Sequence, residues 1–242
     1  MRVGLFVTCL VDLMRPSIGF AALALLERAG CEVVVPEGQT CCGQPGWNSG
    51  DRDATRALAE KLLDEFEGCD YVVAPSGSCS GMIRTHYPAL FENEPVLGDR
   101  IARLCARTYE LTDFLVNVAK LDDVPGGFAG TITYHDSCAG LREMGVKQQP
   151  RTLLAKLPGV TAVELNECEQ CCGFGGTFSI KFGEVSAAIA DRKCRNIEAT
   201  GADAVVLGDL GCMLNIEGRL RRRGNKETRV LHVAEVLAGE VK

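Results

Sequence analysis

The chain has 242 residues, 46% hydrophobic and 24% charged, which is typical of a globular protein able to bury a large core in one or two domains. A formal net charge of −6 argues against nucleic-acid binding, which usually shows a basic excess. Thirteen cysteines, an odd count, argue against a disulfide scaffold and favour metal binding or redox chemistry in a reducing compartment.

The first half of the chain predicts buried strands that alternate with helices. The initial apolar run, RVGLFV, predicts a strand and not a targeting segment, because Asp12 interrupts the apolar stretch that follows. Proline at the start of residues 16–29 and amphipathic spacing in residues 51–67 predict two helices. The run DYVVAP predicts another strand, and residues 101–120 predict a helix that closes this half.

A second half follows a linker-like segment. Residues 121–130, LDDVPGGFAG, combine charge, proline and glycine, so we predict a first unit over residues 1–122 and a second over residues 130–242. In the second unit TITY and DAVVLG predict buried strands, residues 184–200 predict a helix, and residues 228–233 predict a final strand before a last helix. The alternation predicts an α/β fold of two pseudo-symmetric halves, each a parallel-sheet βαβ-type unit.

The cysteines follow an internal duplication. Each half contains an isolated cysteine, a Cys-Cys-Gly triplet and another isolated cysteine, in that order and with similar spacing. The cysteines of this pattern are Cys9, Cys41, Cys42 and Cys79 in the first half and Cys138, Cys171, Cys172 and Cys212 in the second. Each isolated cysteine follows a predicted strand, and functional groups collect beyond the carboxyl ends of parallel strands. We therefore expect four thiols to converge at one rim in each half, as a metal centre requires.

Sulfur ligands narrow the choice of metal. An all-thiolate site selects zinc or iron–sulfur clusters, and structural zinc usually sits in close C-x2-C knuckles on small loop-rich folds. Ligands spread over an α/β core favour an iron–sulfur centre, with a zinc-stabilised structural or binding protein as an alternative. The glycines after the cysteine pairs allow positive φ and close approach of backbone amides to cluster sulfides. These predicted cofactor-binding glycines are Gly43, Gly173, Gly175 and Gly176.

Other residues near the pattern leave alternatives open. Cys168 forms C-x2-C with Cys171 and is either an extra ligand, a redox partner or a structural residue. His135 is a proton donor, a hydrogen-bond partner of a cluster or a satisfied structural histidine. Ser76 and Asp209 occupy equivalent positions before the last cysteines, and each is a ligand or a capping group. The four remaining cysteines are expected in the core as small apolar residues: Cys31, Cys69, Cys105 and Cys194.

Six segments together resemble the lactate utilization protein A family, which contains the cysteine-rich CCG domain also found in heterodisulfide reductases. They are FVTCLVDLMRP, PEGQTCCGQPGWNSG, APSGSC, YELTDF, ECEQCCGFGGTFSIK and GCMLNIEGRL, and the resemblance covers essentially the whole chain. It implies one or two iron–sulfur clusters, of the 4Fe–4S type or a non-cubane variant. It also implies an electron-transfer subunit of a cytosolic complex that oxidises L-lactate to pyruvate, whose partners include a ferredoxin-type iron–sulfur protein.

The sequence bears on what the chain can do alone. It contains no C-x2-C-x2-C-x3-C-P run and no G-x-G-x-x-G after its first strand, so it indicates neither a ferredoxin-type cluster nor a nicotinamide or flavin site. Taking two electrons from a hydroxy acid usually needs such a cofactor, so we expect an enzyme subunit that depends on partners. A cluster-dependent thiol–disulfide reductase subunit is the alternative redox function. No apolar stretch reaches membrane-spanning length, so we expect a cytoplasmic location without direct membrane insertion.

Overall fold

The computed structural model describes residues 1–240 and shows one four-stranded parallel sheet in each half of the chain. The first sheet consists of β1 (Arg2–Leu5), β2 (Glu32–Val34), β3 (Tyr71–Ala74) and β4 (Thr108–Glu110), in the order β2-β1-β3-β4. The second consists of β5 (Gly130–His135), β6 (Val160–Ala162), β7 (Ala204–Leu207) and β8 (Arg229–His232), in the order β6-β5-β7-β8. The identical order confirms the prediction of two pseudo-symmetric parallel α/β halves.

Helices connect the strands of the first half. They are α1 (Cys9–Met14), α2 (Pro16–Arg28), α3 (Gln44–Ser49), α4 (Arg52–Phe66), α5 (Gly77–Gly81), α6 (Pro95–Ala106) and α7 (Leu111–Asp113). The π-helical turns Met82–His86 and Phe114–Val118 continue α5 and α7, and the 3-10 turn Tyr87–Leu90 follows the former. Helices α2 and α4 match the prediction closely, since proline opens α2 and the Asp51 side chain caps α4 by accepting the Ala54 amide at 3.1 Å.

The single helix predicted over residues 101–120 is wrong. Helix α6 ends at Ala106, and β4 then adds to the sheet with Thr108 opposite Val72. The strand has three residues, too few for a period-two pattern to stand out from the helices around it. Its carboxyl end has a structural role, because the Glu110 carboxylate caps α7 by accepting the amide of Thr112 at 2.8 Å.

The helices of the second half repeat this plan. They are α8 (Cys138–Arg142), α9 (Gln148–Leu154), α10 (Thr177–Lys181), α11 (Gly183–Ala199), α12 (Leu210–Arg222) and α13 (Val233–Ala238). Helix α11 covers the helix predicted over residues 184–200, and β8 with α13 forms the predicted last strand and helix. Among residues 1–240, no helix is both long and apolar enough to cross a bilayer.

The two halves pack together through pairs of helix contacts that the pseudo-symmetry relates to each other. Helix α2 packs on α13, and its counterpart α9 packs on α7; likewise α1 contacts α12 while α5 contacts α8. Leu25 of α2 and Val236 of α13 are both fully buried in one hydrophobic cluster that also contains strand residues of both sheets. The halves therefore share a core.

The segment between the halves runs along this core without regular secondary structure. Leu121, Val124 and Phe128 of that segment are buried in the shared cluster. The unit bounds 1–122 and 130–242 stay a prediction, and residues 241–242 of the second unit lie outside the described residues.

Candidate metal centres

Both sheets place their isolated cysteines at the same topological position. In each sheet, strands are added in opposite directions from the neighbouring first and third strands, which leaves a crevice beyond the carboxyl ends of those two strands. Cys9 starts α1 soon after β1, and Cys79 lies in α5 after β3. In the second half Cys138 starts α8 and Cys212 lies in α12 after β7. Each crevice thus receives two cysteines from helix starts.

The first quartet consists of Cys9, Cys41, Cys42 and Cys79. The Cys41 thiol lies near enough to the thiols of Cys42 and Cys9 to change their titration. Cys42 interacts in the same way with Cys79, so the four side chains form a continuous series. The Gly43 amide donates to Cys41 Sγ at 3.4 Å, and the φ of 82° at Gly43 is a left-handed conformation that glycine adopts without strain. The structure brings together the four cysteines that the sequence grouped in this half.

The second quartet, Cys138, Cys171, Cys172 and Cys212, has the same arrangement. Cys171 hydrogen-bonds with Cys138 and Cys172, and Cys172 Sγ lies 3.1 Å from Cys212 Sγ. The Gly173 amide donates to Cys171 Sγ at 3.3 Å. The Phe174 amide donates to Cys172 Sγ at 3.4 Å, so two backbone N–H groups donate to this pair of sulfurs. Both quartets thus have a glycine amide that donates to the first sulfur of the central pair, and the second quartet has one further amide donor.

Thiols packed this closely titrate very differently from free cysteine. Hydrogen bonds from Cys42 and Cys9 lower the pKa of Cys41 to about 2, and those from Cys138 and Cys172 lower the pKa of Cys171 to about 2. The thiols that donate keep their protons; the pKa of Cys9, for example, is raised, chiefly by its hydrogen bond to Cys41. Metals bind thiolates, so binding of a soft metal group here would release the remaining protons. This donor set fits zinc or an iron–sulfur group.

The remaining glycines of the second loop shape it without contacting sulfur. Gly175 and Gly176 have φ of 54° and 60° and lead into α10. The amides of Gly43, Gly173 and Phe174 donate to cysteine sulfur, whereas those of Gly175 and Gly176 form no such hydrogen bond with a described residue. A cofactor-binding role for Gly175 and Gly176 stays a prediction.

The five other cysteines lie outside the quartets. Four of them are buried in the core, as expected: Cys31, Cys69, Cys105 and Cys194. The fifth, Cys168, is partly exposed, and its sulfur lies in one group with carboxylate oxygens of Asp136 and Glu164, all within 4.8 Å of one another. Arg151 donates to Asp136 at 2.8 Å and to Glu164 at 2.6 Å. The one guanidinium pairs with both carboxylates, and no pattern in the sequence indicated this cluster.

Solvent access differs between the quartets. A cavity of about 510 Å³ opens beside the first, with Cys9, Cys41 and Asp12 in its wall, and Cys9 itself is exposed. Its wall also contains Thr8, a buried β-branched residue whose φ of 76° is strained, as is common at functional sites. Val7, two residues before the first cysteine of its half, also lines this cavity. Its counterpart in the second half is Asp136, so the ion pairs of Arg151 occupy the corresponding place there.

Ser76 and Asp209, whose roles the sequence left open, contact each other across the interface between the halves. The Ser76 hydroxyl donates to Asp209 Oδ2 at 3.2 Å, and the Ser78 amide donates to the same oxygen at 2.9 Å. Ser76 Oγ also accepts the Cys79 amide at 3.3 Å and so caps α5. Both side chains are buried. They act as capping groups that join the two cysteine-bearing rims.

His135 is the polar residue most closely associated with the second quartet. It is fully buried; the Cys168 backbone approaches the ring, but neither ring nitrogen forms a well-aligned hydrogen bond with a described residue. A ring nitrogen forms a group with Cys172 Sγ and Cys212 Sγ in which all atoms lie within 4.8 Å. Burial, and secondarily Lys193, lowers the pKa of His135 to about 3, so the imidazole is neutral. The geometry therefore opposes the role of a satisfied structural histidine.

Sequence comparison places this arrangement in a known class. The CCG cysteine-rich domain matches residues 3–84 and 132–217, one copy in each half, so the chain is a protein of two CCG domains. Lactate utilization protein A of Geobacillus thermodenitrificans is 48% identical over 238 residues that cover 98% of each chain. That of Bacillus subtilis is 47% identical over 98% of this chain and 99% of the relative. The chain belongs to the lactate utilization protein A family, as its motifs predicted.

Structural comparison adds information on the fold alone. A hypothetical protein from Helicobacter pylori superimposes with a TM-score of 0.70 at 13% identity, covering the whole of this chain and 49% of that one. This likeness supports the two-sheet architecture and carries no functional argument.

Proposed function

We propose that the chain is an iron–sulfur electron-transfer subunit of a cytosolic complex that oxidises L-lactate to pyruvate. The observation that carries the proposal is the pair of thiol quartets, built alike at the switch points of two sheets. The substrate comes from the names of the full-length relatives. Nothing in the quartets suits direct attack on a hydroxy acid, whereas thiolate-bound iron accepts and returns electrons singly.

In this proposal the metal ligands are the eight cysteines of the two quartets. Each quartet holds one cluster, of the 4Fe–4S or a non-cubane type, and the cluster supplies a reversible one-electron site. The chain itself supplies thiolates, the amides of Gly43 and Gly173, and a rigid α/β frame. Amides directed at sulfur stabilise the added negative charge of the reduced state.

Partners are needed for the rest of the reaction. Lactate oxidation releases two electrons, so a partner subunit removes them from the substrate and a ferredoxin-type iron–sulfur protein relays them. The exposed Cys9 leaves the first centre at the surface, where the redox group of a partner can approach. The cavity beside Cys9 and Cys41 offers the matching recess.

Anaerobic purification tests the proposal. We expect brown protein with sulfide-to-iron charge-transfer absorption and acid-labile sulfide in proportion to iron. Adding lactate should bleach this absorption only when the partner subunits are present. Colourless protein with stoichiometric zinc would refute the redox role. Reduction of a heterodisulfide by the isolated chain would instead favour a thiol–disulfide reductase.

A further inference from the structure

The two quartets differ in the side chains at equivalent positions beside them. Three residues before the first cysteine of each half stands Phe6 in the first and His135 in the second. The helices after the Cys-Cys-Gly turns differ in the same way, because the position of Leu62 on α4 corresponds to that of Lys193 on α11. All four residues are buried, at most 3% exposed. An apolar pair in one half thus replaces two nitrogen-bearing side chains in the other.

The environment of His135 is incomplete without a further group. A buried imidazole usually satisfies its N–H donor and its lone pair, and leaving both unpaired costs roughly 1–3 kcal/mol for each group. No described residue forms a well-aligned hydrogen bond with either nitrogen, although Cys172 and Cys212 sulfurs lie within 4.8 Å of one of them. A sulfur-rich inorganic group in the crevice would accept the N–H or bind the lone pair.

Lys193 places a positive charge on the same side. Its ammonium group is buried and donates to the backbone carbonyl oxygens of Glu167 at 2.7 Å and Cys168 at 3.2 Å. Burial lowers its pKa, while the Cys168 and Cys172 thiols favour its charged form. The nearby carboxylates of Asp136 and Glu164 are already paired with Arg151.

Carboxylates lie near both quartets: the buried Asp209 acts on Cys138 and Cys212 of the second, and two exposed carboxylates lie beside the first. Asp12 and Glu37 line the cavity beside Cys9. Neither carboxylate forms an ion pair within the described part of the chain, in contrast to Asp136 and Glu164. Negative charge disfavours the addition of an electron to a nearby centre, and positive charge or a hydrogen bond to sulfur favours it.

We propose that a ring nitrogen of His135 contacts the metal–sulfur group of the second quartet, and that His135 and Lys193 give this group a more positive reduction potential than that of the first. An electron shared by the two centres would then reside on the second, while the first, beside the open cavity, exchanges electrons with a partner. The inference rests on the proposed function only in requiring that both quartets hold a redox-active metal group.

Redox titration with a chemical reductant, followed by electron paramagnetic resonance, tests the inference without lactate or partners. In the wild-type chain we expect two midpoint potentials. His135→Phe, which installs the first-half residue, should lower the more positive one and leave the other unchanged. A tenfold loss of electron preference corresponds to a shift of about 59 mV for one electron. Lys193→Met should shift the same centre in the same direction, and the matched control Phe6→Leu should shift neither.

Nitrogen couplings measured by pulsed resonance on the reduced protein identify the contact. A strong nitrogen coupling that His135→Phe removes indicates direct binding to metal, and a weak one indicates a hydrogen bond to sulfur; either supports the contact. His135→Gln, which keeps an N–H donor, covers the case in which His135→Phe does not fold. Equal potentials in the wild type, or no change in potential and coupling on substitution, would overturn the inference while leaving the electron-transfer role intact. Absence of iron would instead refute the proposed function.

Discussion

Replacing Gly173 with alanine tests whether the Cys-Cys-Gly turn is fixed by its backbone. Gly173 has a φ of 89°, and a Cβ built there would lie 2.6 Å from the carbonyl oxygen of Ser186. That oxygen belongs to α11, and the Ser186 hydroxyl already donates to the Gly173 carbonyl at 2.7 Å, so the turn and the helix cannot separate easily. The left-handed conformation costs about 1–2 kcal/mol for alanine, and the overlap adds about 1–3 kcal/mol.

Gly176 provides a matched control in the same loop. Its φ of 60° combines with a ψ of −116°, outside the left-handed helical region, which costs alanine about 1–3 kcal/mol. A Cβ there would meet no atom within 4 Å, so Gly176→Ala incurs only this conformational cost. For a chain of this length each kcal/mol corresponds to a shift of about 2–4 °C in Tm. We therefore expect Gly173→Ala to lower the Tm of the metal-free, reduced protein by about 4–20 °C and Gly176→Ala by about 2–12 °C. Iron binding by the second half should fall only with Gly173→Ala, because the amide on Cys171 moves.

Differential scanning calorimetry under anaerobic, reducing conditions measures both Tm values, and iron analysis after reconstitution measures occupancy. Equal Tm values and equal iron contents for the two variants would show that the loop relaxes freely around Gly173. In that case the close contact with Ser186 would not fix the turn.

Three further predictions concern the cysteine ligands, a buried glutamate and the ion pair between Asp136 and Arg151. Cys42→Ser and Cys172→Ser should each remove about half of the iron, whereas Cys105→Ser, at a core cysteine, should remove none; unchanged iron in both pair variants would contradict the ligand assignment. Burial raises the pKa of Glu110 from 4.5 to about 7. The folded state therefore binds this proton more tightly than the unfolded state does, and the resulting stabilisation is complete below pH 4.5 and is lost as the pH rises through 7. Glu110→Gln should remove about 3 kcal/mol of that pH dependence in urea unfolding of the metal-free protein at pH 5 and pH 8, and an unaltered difference would contradict it. Asp136→Asn should cost about 3 kcal/mol because its partner Arg151 loses a buried carboxylate, and a loss below 1 kcal/mol would show that Glu164 suffices.

Repetition explains how much of the fold the sequence revealed. The duplicated order of cysteines predicted two equal halves, and strands β1, β3, β5 and β7 were found because each is an apolar run before or after a cysteine. Strand β4 was missed because three residues between helices carry no clear period, and its pairing with β3 decides its structure. The contact between α2 and α13 across the interface has no local signature in the sequence, since amphipathic helices do not specify their partners.

The candidate site was also predicted only in part from the sequence. Which cysteines come together followed from the repeat and from the geometry of parallel sheets. The differences between the quartets did not, because they depend on partners distant in sequence. Asp136 meets Arg151 and Glu164 only when α9 packs beside β5, and Ser76 meets Asp209 only across the interface. That His135 lacks a partner can be read only from the packed structure.

The contacts between helices of the two halves limit how the molecule can be divided. Helix α13 covers α2 and α7 covers α9, so each half depends on the other to shield an apolar helix face. Cutting the chain at residues 121–130 would expose Leu25 on one fragment and Val236 on the other. Fragments of this kind should regain solubility only by pairing with each other or with a second copy of themselves. The single chain in this sense resembles a dimer whose two subunits are covalently linked, and its two cysteine quartets cannot be studied in separate fragments.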